Sequence, residues 1–552
     1  MSGKGAFAVE FNLADLFEYA VDNYFDREYV VSEAKRRTYG EVEAKANQLA
    51  HHFQQHGVKP GDHVGIYAHN CVEWVETLWA ILKIRAVFIN INYRYVEEEL
   101  DYLFQNAGLV ALVYQRKFAP HVRNILPRVS ALAHTIVIDD DSQEFLDDME
   151  PVFYDVALED MSIKRDFEIR SGDDHYILYT GGTTGMPKGV VWRQEDVFFA
   201  LGGGINMMTG HAVDHPKSLL NNNRESAAST SLATAPLMHG AAQWAVMARA
   251  FIGDRIVLMV KFSGESMLQL IEKEKCTSLL MTGDAMAIPF INALDKAQGS
   301  YDTTSVTTIT SSAVTLSPQT KDKLLKYFPD IFLLDAIGSS ESGSTGLTVV
   351  KKGQTQLSNG GLRIQPGVTT TVLDKDFKPV KPGSGIVGKL ARFGNIPIGY
   401  YRDPEKSAET FVTVDDVRYV IPGDYALYEE DGTITMLGRG SVSINSGGEK
   451  IFPEEVEIAV KIHPGIFDVI IVGVPDERWG SRVVAVAEAV GGKKPLLEDI
   501  QDCCREHIAG YKIPRNIYYV DQIVRSPSGK PDYRWARDVA LTASGGSLGE
   551  NQ

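Results

Sequence analysis

The chain has 552 residues, 44% of them hydrophobic and 23% charged, with a formal net charge of −17. That length exceeds one hydrophobic core and calls for two or three domains. The acidic balance argues against a general nucleic-acid partner, because phosphate backbones demand basic surfaces.

In chain order, Thr38 and Glu41 have capping-box spacing, and Val42, Ala46, Leu49 and Phe53 then recur at helical intervals. The Lys59-Pro60-Gly61-Asp62 turn ends that helix, and Val64 to Tyr67 reads as a buried strand. A second helix is predicted from about Val72 to Lys83, with a strand through Val87 to Ile91 after it. Alternating strands and helices imply stacked α/β layers with parallel pairing. Tyr176 to Tyr179 and Gly189 to Trp192 read as two strands flanking the stretch YTGGTTGMPKG, Tyr179 to Gly189. Its glycines let backbone N–H groups approach an anion, its threonines add neutral donors, and Lys188 adds a mobile charge. This is a phosphate-gripping loop, but not a Walker loop, which continues Lys-Ser/Thr into a helix.

YTGGTTGMPKG resembles the signature loop of the adenylate-forming superfamily, which comprises acyl-CoA synthetases, luciferases and peptide-synthetase adenylation domains. The resemblance extends over nearly the whole chain. It implies a large N-terminal domain (1–438) of stacked α/β layers with a β-rich subdomain, which binds ATP and the acid. A hinge at 439–441 and a small mobile α/β domain (442–541) would follow, with 542–552 as a disordered tail. In that family the loop holds the phosphates of ATP, which assigns Thr180, Gly181, Gly182, Thr183, Thr184, Gly185, Met186, Pro187 and Lys188 to nucleotide binding. Gly181 stands where many members carry serine.

Downstream, the polar segment from His211 to Ser229 reads as a long exposed loop. Pro236-Leu237-Met238-His239-Gly240 resembles the segment that opens the family's pocket helix, with His239 gating the carboxylate end of the acid tunnel; a packed structural histidine is the competing reading. Gly240, Ala241, Ala242, Ala245 and Ala248 are unusually small, which leaves room for a bulky substrate or permits close helix packing. Ala336 to Glu341 resembles the motif in which Glu341 ligates Mg²⁺, Ser340 offers a hydroxyl to phosphate, and Asp335 reaches the adenine amino group. Ile337 replaces a common aromatic.

Pro422-Gly423-Asp424 resembles the family's ribose-binding turn, and Arg439 would supplement that grip. The Asp431-Gly432 pair reads as a hairpin turn that places Asp424 and Arg439 on one ribbon. Ser441 occupies the hinge position. By resemblance, Ser446, Gly447, Gly448 and Glu449 line the path of the thiol acceptor, coenzyme A, with Lys450 near nucleotide or CoA phosphates. Pro453, Glu454 and Glu455 read independently as a helix start, with acids at the positive end of the dipole. Ser526 to Lys530 resembles the terminal lysine motif, and Lys530 is the residue expected to drive adenylation.

The stretches RSPSGKPDYRWAR and GVVWRQEDVFFALGG resemble a subgroup of actinobacterial synthetases that activate steroid side-chain carboxylates such as 3-oxocholest-4-en-26-oate. Medium- or long-chain fatty acids are the competing substrates. A luciferase-like oxygenase shares the adenylation motifs, and light emission with luciferin would reveal it. A peptide-synthetase module would adjoin a carrier domain, for which the chain leaves no room after Lys530. A binding protein with a decayed site is disfavoured by retention of Lys188, Glu341, Asp424, Arg439 and Lys530. Cys71, Cys276, Cys503 and Cys504 form no CxxC pair. No signal-peptide core and no membrane-length apolar run is found, so a cytoplasmic enzyme is expected, with a homodimer left open.

Overall fold

Thr38 opens the helix Tyr39–Gln55 as its cap. The Thr38 hydroxyl accepts from the Glu41 N–H at 3.1 Å, and the Glu41 carboxylate accepts from the Thr38 N–H at 2.7 Å. Val42, Ala46, Leu49 and Phe53 all point into the core. The helix Val72–Lys83 is buried along its whole length. Even Lys83 is inside, neutralised by Glu43 at 2.9 Å and by Glu18.

The computed structural model describes residues 10–146, 149–180, 186–206, 209–220, 228–312, 316–350, 362–446, 449–476, 479–525 and 530–544. Among them, two large sheets form the N-terminal domain. In the eight-stranded sheet, His63–Tyr67, Val87–Asn90, Leu109–Gln115, His134–Ile138 and His175–Thr180 run parallel. His175–Thr180 then pairs antiparallel with Lys188–Arg193, so the signature loop does join two strands. The second sheet has fifteen strands. Its first part is parallel, running through Glu28–Ser32, Arg255–Leu258, Thr230–Ala233, Ser278–Met281, Thr308–Ser312 and Phe332–Ser339. From Phe332–Ser339 onward the pairing turns antiparallel and passes into the β-rich subdomain, which includes the hairpin Asp424–Tyr428 and Ile434–Arg439.

After residue 443 the chain builds cores of its own. One gathers Ile444, Val456, Ile471 and Ala485; the other gathers Ile470, Val484, Ala536 and Ala540. A three-stranded sheet, Ile466–Asp476, Gly480–Ala489 and Asn516–Val520, carries the helices Pro453–Lys461, Leu497–Arg505 and Tyr533–Ala543. Self-sufficient burial of this kind marks a separate domain.

Two boundaries differ from the sequence reading. The segment expected as an exposed loop from His211 contains a helical turn, Lys217–Leu220, whose Leu220 is buried. The last helix continues to Ala543, so Thr542 and Ala543 belong to it and not to a tail. Among the described residues no helix is long and apolar enough to cross a membrane.

Candidate active site

A cleft of about 2440 Å³ separates the large domain from the small one. Its walls are assembled from segments far apart in sequence: Thr180 and Met186, His239, Ser340 and Glu341, Asp424, and Lys530. The sequence reading named each of these.

The signature loop leaves the sheet where Thr180 and Lys188 are paired. Gly181, Gly182, Thr183, Thr184 and Gly185 lie outside the described residues, and Pro187 is buried. The Lys188 ammonium is ion-paired with Asp403 and stands 5.8 Å from the ring centroid of Tyr400. That pairing holds the Asp403 carboxyl below its usual range. The Tyr400 hydroxyl in turn donates to Glu341 at 3.1 Å. Lys188, Asp403, Tyr400 and Glu341 therefore form one chain of contacts. Its acidic end is oxygen-rich and half-buried, the donor chemistry a hard cation such as Mg²⁺ prefers. Ser340 is fixed alongside, its carbonyl accepting from the Trp192 indole at 3.0 Å.

His239 caps the helix Gly240–Phe251 from the cleft side. Burial, with the charges of Lys530 and Arg94 nearby, pushes its imidazole down to about 4. It is therefore neutral at physiological pH, and its Nε2 is buried without a hydrogen-bond partner among the described residues. Lys530 lines the same cleft as His239. Gly240, Ala241, Ala245 and Ala248 line the cleft as expected, whereas Ala242 faces the core. Small side chains serve both purposes on this helix, on opposite sides.

Asp424 and Arg439 are directly opposite each other in the hairpin, closed by the Asp431-Gly432 turn. The side chains of Arg439, Ser441 and Lys450 are outside what is described. Gly438 before them has φ +119°, and a Cβ there would lie 2.2 Å from Glu454 Oε2. Gly438 thus sits against the first turn of the helix Pro453–Lys461.

The Lys530 loop is closed by a β-bridge between Arg525 and Pro531. Arg525 grips Asp468 with two N–H groups at 2.6 and 2.7 Å, and Lys461 adds a contact at 2.7 Å. Burial works to raise the Asp468 pKa, but Lys461 and Arg525 outweigh it and hold the carboxyl well below its usual range. The lysine is thereby presented from a rigid base.

Two of the expected site residues lie off the cleft wall in this arrangement. Asp335 is 1% exposed and ion-paired at 2.5 Å with Lys321, which itself lines the cleft. Ala336 and Ile337, beside it, do line the cleft. Ser446 is buried on the short hairpin Ile444–Ser446 and Glu449–Ile451 and is not part of the cleft wall. Gly447 and Gly448 lie outside the described residues.

The sequence reading missed three residues. Asn90 binds Tyr179 and Met238 through their backbones, and Asn70 binds Ala235, Leu237 and Met259 in the same way. Together they staple the His239 segment to both sheets. Tyr400 links Lys188 to Glu341. Its neighbour Asp403 left a local signal, an Asp-Pro pair that caps the helix Pro404–Thr410.

Comparison with known proteins agrees with this layout. The family described as "AMP-binding enzyme" matches residues 17–395, and "AMP-binding enzyme C-terminal domain" matches 455–530. A 3-oxocholest-4-en-26-oate–CoA ligase of Rhodococcus rhodochrous is 47% identical over 531 residues, covering 96% of this chain and 95% of that one. A medium/long-chain-fatty-acid–CoA/3-oxocholest-4-en-26-oate–CoA ligase of Mycobacterium tuberculosis is 46% identical, covering 96% of each. Among solved structures, the anthranilate–CoA ligase AuaEII with anthranoyl-AMP superposes with a TM-score of 0.83 at 21% identity, over 97% of this chain and 98% of that one.

Proposed function

The chain belongs to the AMP-binding enzyme family, and from that premise we propose that it is an AMP-forming acyl-CoA ligase for a bulky hydrophobic acid, a steroid side-chain carboxylate such as 3-oxocholest-4-en-26-oate. The acid's carboxylate attacks the α-phosphorus of ATP and expels pyrophosphate. The thiol of coenzyme A then attacks the acyl-adenylate and expels AMP.

The observation that carries this reading is that Lys530, from the small domain, lines one cleft together with His239 and Glu341 of the large domain. As negative charge accumulates around the α-phosphate, the Lys530 ammonium neutralises it. The neutral imidazole of His239 offers its buried Nε2 to the carboxylate end of the acid. Asp424 and Arg439 orient the ribose, Thr180 to Lys188 hold the phosphates, and Ser340 adds a hydroxyl. Lys188 exchanges Asp403 for phosphate oxygens when ATP enters. Glu341 would hold Mg²⁺, which supplies positive charge to the phosphates. Rotation about 439–441 would then withdraw Lys530 and bring in Ser446, Gly447, Gly448 and Lys450 for the thiol, since the present arrangement keeps Ser446 off the cleft wall.

For the acid, the support is the small-residue wall of Gly240, Ala241, Ala245 and Ala248, with Gly202 and Gly203 lining the same cleft. Medium- and long-chain fatty acids are the second reading, favoured by the double name of the mycobacterial relative. ATP–pyrophosphate exchange across a panel of steroid and fatty acids tests both. Fastest exchange with a steroid side-chain acid supports the first reading, fastest exchange with fatty acids the second, and no exchange with any acid rejects the ligase assignment.

A further inference from the structure

The helix Tyr39–Gln55 ends in the run His51-His52-Phe53-Gln54-Gln55-His56. His52 and His56 are four residues apart, so their side chains share one face of the last turn. The strand His134–Ile138 begins beside that turn, and its first residue brings a third imidazole to the same point. The His52 and His134 Nε2 atoms are 2.9 Å apart. The ring centroids are 4.1 Å apart for His52 and His56, 4.3 Å for His56 and His134, and 5.0 Å for His52 and His134. One ligand nitrogen from each residue lies within 4.8 Å of the others.

A purely structural reading leaves this cluster unexplained. His52 and His134 share one N–H···N hydrogen bond, and the His56 ring packs against both, without a carboxylate partner beside the three among the described residues. A cation at the centre resolves all three contacts. We propose that His52, His56 and His134 form a site for one zinc ion, separate from the ATP cleft, which pins the end of the helix to the start of a strand 82 residues later in the sequence.

The details suit that ion. Zinc–imidazole bonds of about 2.0–2.1 Å in a tetrahedron put ligand nitrogens roughly 3.4 Å apart. The His52–His134 nitrogens at 2.9 Å, with one nitrogen from each of the three within 4.8 Å of the others, place the ligands within small side-chain rotations of that spacing. His56 Nδ1 is already engaged with the His52 carbonyl at 2.8 Å. A ligating histidine commonly makes this outer contact, and it leaves Nε2 to face the metal. Binding requires the proton between His52 and His134 to move to the far nitrogen of its own ring. Burial, with the neighbouring histidines, pushes His52 and His134 down to about 4, so both present neutral rings at physiological pH. Exposure is graded from buried His52 through half-buried His134 to exposed His56, which opens one side for entry and for a water as fourth ligand. A set made only of imidazoles selects zinc-type ions over Mg²⁺, which prefers oxygen donors. None of the three histidines lines the catalytic cleft.

The test uses the full-length, untagged chain, stripped with chelator and dialysed against micromolar zinc in excess Mg²⁺. Metal analysis should find one zinc per chain, and the melting temperature should rise with zinc. Because His56 is exposed, His56→Gln should fold normally yet bind zinc at least about tenfold more weakly. His56→Gln/His134→Gln should retain none. Ligase activity in Mg²⁺ alone should be the same in wild type and His56→Gln. Equal zinc content in wild type and the double variant, or no zinc retained by wild type, would overturn the proposal.

Discussion

Asn90 donates from Nδ2 to the carbonyls of Tyr179 and Met238, each at 2.8 Å, and accepts from the Tyr179 N–H at 2.7 Å. One buried amide thereby sets the distance between the signature loop and His239. Replacing it by Leu leaves three buried backbone groups unpaired, and each such group costs about 1–3 kcal/mol. Asn90→Leu should therefore lower unfolding stability by about 3 kcal/mol or more in denaturant titration; a loss within 0.5 kcal/mol would contradict the staple. Lys530→Ala should abolish adenylation, with pyrophosphate exchange falling on the order of 10²–10³-fold. The same variant should still convert supplied acyl-adenylate and CoA to thioester, and equal loss of both half-reactions would argue against the division of labour. His239, pushed down to about 4 in the fold against an ordinary value near 6.5, favours the native state only while neutral. Its contribution to stability is full above about pH 6.5 and is lost as pH falls toward 4. His239→Gln should flatten that part of the stability–pH curve, measured by thermal melting. Lys530, Glu341, Asp424 and Arg439 were legible because each sits in a local pattern of glycine, proline and charge. Asn90, Asn70 and Tyr400 were not, because their partners lie 59 to 212 residues away and nothing in their local sequence announces them.

At the scale of elements, the readable features were those with a short-range cause. The capping box at Thr38, the fully buried helix Val72–Lys83 and the Asp431-Gly432 turn appear where spacing and turn chemistry put them. The turn Lys217–Leu220 was hidden in a polar segment, since it owes its place to one buried leucine and not to a periodic face. Asp335 sits beside a cleft-lining Ala336 and Ile337, and only the structure reveals that it is buried against Lys321. Gly438 is the most sensitive link between elements. Its φ of +119° disfavours any side chain, and a Cβ there would displace the Glu454 carboxylate. Gly438→Ala should cost about 1–3 kcal/mol and lower the melting temperature, with pyrophosphate exchange reduced in parallel. An unchanged melting temperature would show that the backbone at Gly438 relaxes freely.

Across the whole molecule, two independently cored domains meet at one cleft, and each supplies groups the other lacks. In the proposed reaction the large domain would provide the acid pocket, Glu341 and the phosphate loop. The small domain provides Lys530 on a loop anchored by Arg525 and Asp468. Pocket volume then governs which acid is activated. Ala245→Phe should fill the cleft wall and cut kcat/KM for a steroid acid by at least about tenfold, with a medium-chain fatty acid less affected. The most direct measurement is product analysis in a single turnover of pure enzyme with a steroid side-chain carboxylate, Mg²⁺, ATP and CoA. Equimolar AMP, pyrophosphate and steroid thioester are predicted. ADP and phosphate in their place, or no AMP with any hydrophobic acid, would contradict activation through an acyl-adenylate.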